Sequence, residues 1–183
     1  TLSTLLTTSE KALKITGSIN GTDIKYLRDL INAGTVTDLD ISEANIVKGG
    51  SAYFESYTTE DDVLGHSMFK DCKYLKTIEL PATIYSIQAN AFSGSGLRKI
   101  DIPNSVTTIG DYAFWECSSL QSIDIPNSVT TIGNYVFRRC KSLQSINITK
   151  GNKHYESIDG ILFSKNLTCI LKLPERKNLK EYT

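Results

Sequence analysis

Apolar residues along the middle of the chain recur in a fixed phase. Leu97 to Ser119 reads LRKIDIPNSVTTIGDYAFWECSS, Leu120 to Ser142 reads LQSIDIPNSVTTIGNYVFRRCKS, and Leu75 to Gly96 reads LKTIELPATIYSIQANAFSGSG, one residue shorter. Leu75, Leu97, Leu120 and Leu143 are thus 22, 23 and 23 residues apart. Within each unit the pattern L-x-x-I-x-[IL]-P places apolar side chains at alternate positions: Ile78 and Leu80, Ile100 and Ile102, Ile123 and Ile125. A period of two is that of a short strand with one buried face. Pro81, Pro103 and Pro126 lack the N–H that a ladder needs, so each strand is predicted to stop there. Val106, Ile109, Ala113 and Phe114, repeated as Val129, Ile132, Val136 and Phe137, point inward from a return segment. The sequence S-V-T-T-I-G holds β-branched residues and a glycine, which disfavour a helix, so this return is predicted to be irregular or turn-like. One such unit cannot enclose its own apolar face, whereas stacked units bury a continuous core between neighbours.

Weaker copies extend the array. Val36-Thr-Asp-Leu39-Asp-Ile41 fits the strand pattern, and Leu64 to Cys72 aligns with Ile109 to Cys117. Between them an insertion runs from about Val47 to Val63. After Leu143 the strand repeats as LQSINIT and then gives way, at about 149–174, to a variant unit in which DGILF and TCILKLP read as a β-hairpin. Residues 1–34 form a different block. ALKITGSI reads as a strand, and Thr22 to Ala33 as a helix with Thr22 at its N-cap, Asp23 beside the positive end, and Gly34 as its stop. This block is expected to be an N-terminal cap, because the apolar end of an open solenoid must be covered by an element with a polar outer face. The array proper is placed at 35–183. Lys180 to Thr183 reads as the beginning of another strand, which points to a natural protein that continues into further repeats.

With these units laid out, the chain resembles the BspA-like class of leucine-rich-repeat proteins, known from the surfaces of gut and oral anaerobic bacteria and from some parasitic protists. The resemblance is carried by units 97–119 and 120–142, especially IDIPNSVTTIG followed by AF or VF and then Cys, and it covers most of residues 64–183. The resemblance implies an α/β leucine-rich-repeat solenoid, right-handed and curved, with a parallel β-sheet on one side and a short helix-containing cap. It also implies a role in surface attachment or recognition, without naming a ligand. The insertion departs from the pattern and puts uniform curvature in doubt there.

Charge and composition narrow the functions. Lysine plus arginine and aspartate plus glutamate each total 20, so no net field draws the chain to nucleic acid or to an anionic membrane. No apolar run approaches the ~18 residues of a membrane span, and TLSTLLTTSE has neither a basic n-region nor an h-region, as in a soluble, trimmed or mature form. Cys72, Cys117 and Cys140 each lie three residues before a repeat leucine, the phase that Gly94 holds in the shorter unit, so repeat geometry rather than metal-ligand spacing places them. They read as small buried core residues, with a Cys117–Cys140 disulfide as the alternative. Cys169 is out of phase and is expected to be buried on the hairpin. His66 and His154 stand far apart with no H-E-x-x-H motif, and no G-x-S-x-G or phosphate loop is present. No enzyme activity, metal or cofactor is expected. The sequons at Asn20, Asn147 and Asn166 matter only in a eukaryotic secretory route.

Two outward surfaces are left free by the scaffold. Along the strand face Asp40, Glu79, Asp101, Asp124 and Asn147 form a row, flanked by Lys76, Arg98, Gln121 and Gln144. It reads either as an ordinary solvated face or as a polar groove for a protein or glycan, with a weak Ca²⁺ site as a further option. After each phenylalanine the homologous positions hold Lys70, Ser93, Trp115 and Arg138, then Asp71, Gly94, Glu116 and Arg139. Trp115 beside Arg138 and Glu116 beside Arg139 read as contacts between repeats, or Trp115 with Tyr112 and Tyr135 as a recognition patch. The expectation is a monomeric, non-enzymatic interaction or adhesion module, cell-surface or secreted, that binds an extracellular protein or glycan. A passive spacer within a larger surface protein is the alternative.

Overall fold

The computed structural model describes residues 5–9, 11–165 and 170–172. The chain begins with β1 (Leu5–Ser9) and β2 (Ala12–Ile19), then α1 (Gly21–Asn32) and β3 (Asp38–Ile46). The insertion folds as β4 (Gly49–Phe54) and β5 (Tyr57–Thr59), followed by β6 (Val63–Leu64). The repeats contribute β7 (Thr77–Glu79), β8 (Ser86–Ile87), β9 (Thr108–Ile109), β10 (Ser122–Ile125), β11 (Thr131–Ile132) and β12 (Ser145–Ile148). The chain closes on β13 (Tyr155–Ile158), β14 (Ile161–Ser164) and β15 (Ile170–Lys172). The result is a parallel β-solenoid with a single helix among the described residues.

Three hydrogen-bonded columns run along the coil. The first is the sheet face, where β2, β3 and β7 pair in parallel and β10 pairs with β12. It is interrupted between Glu79 and Asp101, since the strand expected at 98–102 is reduced to one bridge, Asp101 to Asp124. The second lies on the return segments. These are not wholly irregular, because β6, β8, β9 and β11 form a parallel ladder of two-residue strands. The third runs through the turns around each phenylalanine. There the amides of Ser67, Phe69 and Asp71 donate to the carbonyls of Ala89, Ala91 and Ser93, and those of Asn90, Phe92 and Gly94 donate to Asp111, Ala113 and Trp115. Tyr112, Phe114 and Glu116 continue it onto Asn134, Val136 and Arg138. Left-handed residues bracket every such turn, with Ser67, Asn90, Tyr112 and Tyr135 on one side and Asp71, Gly94, Glu116 and Arg139 on the other.

Inside, the phenylalanines stack. Phe69, Phe92, Phe114 and Phe137 follow one another with ring centroids 5.7, 5.4 and 5.8 Å apart and planes within about 11° of parallel. Such offset pairs contribute about 0.5–1.5 kcal/mol each beyond the burial of their area. Cys72, Cys117 and Cys140 are buried and take part in no disulfide among the described residues, so no Cys117–Cys140 disulfide forms. The Cys117 Sγ donates to the Phe92 carbonyl at 3.1 Å and the Cys140 Sγ to the Phe114 carbonyl at 3.0 Å. Counted from the phenylalanines, the residue in this column of the shorter unit is Ser95, whose Oγ lies 3.4 Å from Cys117 Sγ. Gly94 instead falls in the left-handed column, so the missing residue lies after Ser95. There Gly96 packs its backbone against Lys73, and a Cβ at Gly96 would collide with the Lys73 carbonyl oxygen. Cys169 and residues 173–183, with the strand expected at Lys180, lie outside the described residues.

The N-terminal end is closed by side chains. Asn20, not Thr22, caps α1: its side chain accepts from the Thr22 amide at 3.0 Å, and Asp23 returns a bond from the Asn20 amide at 3.0 Å, which completes a capping box. The first repeat turn presents the carbonyls of His66, Met68 and Lys70, which in later units receive amides from the turn before. Here the Tyr53 hydroxyl donates to His66 O at 3.0 Å, and the Arg28 guanidinium donates to Met68 O at 2.8 Å and Lys70 O at 3.1 Å. Arg28 also reaches Ser67 O at 3.2 Å and packs 4.9 Å from the centre of the Phe54 ring. The insertion therefore packs between α1 and the first repeat turn. Its hairpin packs on α1, where the Ser51 amide donates to Thr22 Oγ1 at 2.9 Å.

The variant unit docks by a buried asparagine. Asn152 donates to the carbonyls of Pro126 and Val129 and accepts from the His154 and Tyr155 amides. The Tyr155 hydroxyl accepts from the Ile132 amide at 2.9 Å and so ends the return ladder. β14 pairs antiparallel with both β13 and β15.

Candidate functional site

The strand-face row separates into two blocks. Asp40 and Glu79 are register partners across β3 and β7, and Asp101, Asp124 and Asn147 continue after the interruption. Several of these groups are answered from within the chain. The Lys14 Nζ bridges Asp40 at 3.3 Å and Glu43 at 2.7 Å, Lys99 Nζ lies 3.1 Å from Asp101, and Asn147 Nδ2 donates to Asp124 at 2.7 Å. At Asp40, desolvation alone would raise the carboxyl pKa, but the Ser42 hydroxyl and amide and Lys14 outweigh it, so the carboxyl titrates below its ordinary value. Glu79, Arg98, Gln121 and Gln144 are exposed. The amides of Gln121 and Gln144 donate to the carbonyls of Arg98 and Gln121, so that column is held by backbone while its side chains are free. Between the two blocks lies an open groove of about 590 Å³, lined by Ser42, Glu79, Leu80, Asp101, Ile102 and Asn104 among others. Among the described residues no group of three or more His, Cys, Asp or Glu side chains is placed to hold a metal ion.

The turn face brings other residues together. Tyr112 and Tyr135 stack at 5.3 Å with their planes 29° apart. The cation–π partners differ from those expected, since Arg139 lies over Trp115 at 5.3 Å and Arg138 over Tyr135 at 5.2 Å. Among the described residues no Glu116–Arg139 ion pair forms. A second groove, about 450 Å³, opens here. Lys70, Arg138 and Arg139 bring cationic groups to it, Tyr112 and Trp115 bring aromatic rings, and Asn90 and Ser93 short polar groups. Tyr112 and Tyr135 hold φ of 57° and 56°, a conformation that bulky residues seldom adopt. Lys70, Ser93 and Arg139 belong to the turn positions that the sequence marks after each phenylalanine, whereas Asn90 was not singled out. The signal that finds Asn90 is the same phase counted backward from each phenylalanine, because the columns just before and after it share one face.

His66 is engaged by its neighbours. Its Nδ1 lies 2.9 Å from Ser67 Oγ and its ring stacks 4.2 Å from Tyr57. Burial raises the pKa values of the Cys72 and Cys117 thiols to about 11 and about 12, which keeps them protonated and unreactive. Among the described residues no helix is long and apolar enough to cross a membrane.

Comparison with known proteins agrees with this geometry. Among solved structures, a leucine-rich repeat protein from Eubacterium ventriosum is 22% identical with a TM-score of 0.64, covering 93% of this chain and 48% of its own. The pneumococcal vaccine antigen PcpA is 23% identical with a TM-score of 0.50, covering 95% of this chain and 54% of its own. A leucine-rich cell surface protein from Faecalibacterium prausnitzii is 19% identical with a TM-score of 0.50, covering 93% and 52%. The chain thus spans about half the length of these structures, and at such identities the likeness shows the fold. Comparison with curated proteins gives no match. The model of the BspA type leucine rich repeat region matches residues 37–180 in 6 copies. The chain belongs to the BspA-type leucine-rich repeat family.

Proposed function

We propose that the chain is a non-enzymatic interaction module that binds an extracellular protein or glycan through its repeat surface. The observation that carries this reading is where the two most similar repeats differ. Units 97–119 and 120–142 depart from each other at Arg98/Gln121, Lys99/Ser122, Asp111/Asn134, Ala113/Val136, Trp115/Arg138, Glu116/Arg139 and Ser118/Lys141. Only the Ala113/Val136 pair is buried. Of the others, Arg98/Gln121 and Lys99/Ser122 lie on the strand face and Trp115/Arg138 and Glu116/Arg139 on the turn face, where near-identical repeats accept different side chains. A partner reads such positions, whereas a passive spacer has no use for them.

The cell-surface or secreted location is part of the same proposal. It is supported by the description of the Faecalibacterium prausnitzii relative as a cell surface protein and of PcpA as a vaccine antigen. The test is saturable binding of the soluble chain to arrays of glycans and host extracellular proteins. The Asp101→Ala/Asp124→Ala and Trp115→Ala/Arg138→Ala double variants then assign the face. Loss of at least tenfold in affinity in one of them is expected. A chain that binds no member of either array behaves as a spacer, and the proposal fails.

A further inference from the structure

The turn-face groove has a chemistry that the strand face lacks. Its lining carries Lys70, Arg138 and Arg139 and no carboxylate, in a chain whose charges balance overall. Among the described residues none of these three cations has an acidic side chain within ion-pair distance. Both arginines lie over aromatic rings. A guanidinium held over a ring still has N–H donors to offer a carboxylate or sulfate. Trp115 is half-buried and Tyr112 exposed, so flat apolar surface stands next to the cations.

The backbone beneath is fully engaged. The amides of Asn90, Phe92 and Gly94 and those of Tyr112, Phe114 and Glu116 are spent on the next turn. An extended peptide therefore finds no free strand edge along which to add main-chain bonds. A ligand must be held by rings, cations and short polar groups such as Asn90. The groove volume of about 450 Å³ suits a small ligand or a stretch of one. Lys70 and Arg138 stand three turns apart, about 14 Å at the usual spacing of parallel strands, which is longer than one sugar ring.

We propose that this groove binds an acidic oligosaccharide, with sugar faces against Trp115 and Tyr112 and carboxylate or sulfate groups held by Arg138, Arg139 and Lys70. The assignment rests on the repeat surface being a binding surface and names the ligand class for one of its faces.

Isothermal titration of the soluble chain tests it with a heparin-derived hexasaccharide as the sulfated probe and an oligogalacturonate hexamer as the carboxylate probe. Maltohexaose, hexaglutamate and a thymidine dodecamer are the neutral, peptide and nucleic-acid comparators. One or both acidic sugars are expected to bind saturably, at least tenfold more tightly than every comparator. Trp115→Ala and Arg138→Gln should each weaken that binding by tenfold or more, while Asp101→Ala/Asp124→Ala leaves it unchanged. Arg138 and Arg139 are exposed, so Arg138→Gln and Arg139→Gln carry the test if Trp115→Ala alters the near-UV circular dichroism. Comparable affinity for hexaglutamate, the dodecamer or maltohexaose overturns the assignment, as does wild-type affinity in the arginine variants. Absence of binding to both acidic sugars also overturns it. If that absence is accompanied by another partner lost on Asp101→Ala/Asp124→Ala, only this inference falls; silence across the arrays removes the general reading as well.

Discussion

Carbonyls at the first turn of a stacked coil face outward with no preceding turn to satisfy them, and leaving a buried acceptor unpaired costs about 1–3 kcal/mol. Arg28, 7% exposed, answers two such carbonyls, Met68 and Lys70, and also reaches Ser67. Arg28→Ala is therefore expected to destabilise the chain by about 3 kcal/mol or more in urea unfolding. Arg28→Lys should recover only part of this, since a point ammonium cannot span both carbonyls as the fork does. Equal stability of Arg28→Ala and wild type would remove the capping role. Gly96 is the other residue whose identity the fold fixes. A Cβ there meets backbone, the Lys73 carbonyl, rather than a side chain that can move. Gly96→Ala should lower stability by more than any exposed alanine substitution in the same unit, by about 2 kcal/mol or more on the scale of overpacked sites.

The phenylalanine column and the cysteine column are elements of the solenoid as much as the strands are. Phe114 stacks on both neighbours, and Phe114→Ala is expected to cost about 3–5 kcal/mol, measured by denaturant unfolding. The thiols tie stability to pH. Burial raises the Cys117 pKa to about 12, above the ~8.5 of an unfolded thiol. A raised folded pKa gives a contribution that is complete below about pH 8.5 and is lost as the pH climbs toward the folded value. Cys117→Ala is accordingly expected to be less stable than wild type at pH 7, with a deficit that shrinks by up to about 2 kcal/mol near pH 10. A deficit independent of pH refutes this. Asp38 works in the opposite direction. Desolvation alone would raise its carboxyl pKa, but the Thr37 and Thr77 hydroxyls, both at 2.6 Å, outweigh it, and the pKa lies below the ordinary value. Its contribution is present above the unfolded pKa of about 4 and is lost as the pH falls through the folded one. The melting-temperature deficit of Asp38→Asn at pH 7 should therefore vanish near pH 2.

Across the whole molecule the three columns are not equally continuous. The turn ladder and the phenylalanine stack run unbroken from Phe69 to Phe137, whereas the sheet face narrows to one bridge at Asp101. Where backbone pairing is sparse, local opening is easier than global unfolding. Amides of residues 99–102 should exchange with deuterium faster than those of β10, and the Phe92 and Phe114 amides slowest of all. The same arrangement suits a binding module, because a rigid turn face holds Trp115, Arg138 and Arg139 in fixed relation while the strand face keeps an open groove at its interruption.

The repeat phase alone carries the solenoid, the strand stops at Pro81, Pro103 and Pro126, and the burial of the phenylalanines and cysteines. Period-two alternation and a fixed spacing act locally and survive any detail of packing. Other features depend on residues distant in sequence. Arg28 and Tyr53 look like ordinary surface and insertion residues until the coil brings them onto the carbonyls of 66–70. Asn20 rather than Thr22 caps the helix because only Asn20 exchanges bonds with Thr22 and Asp23 at the first turn. The return ladder, the Ser95 register and the pairing of Arg139 with Trp115 were settled by how one turn seats on the next. On the outer faces Arg98/Gln121 and Trp115/Arg138 were legible as positions where near-identical units differ, and Asp101/Asp124 and Tyr112/Tyr135 as outward positions that they share. Their assembly into a cationic, aromatic groove was decided by the tertiary structure, because left-handed turns on both sides of each phenylalanine set which neighbours share a face.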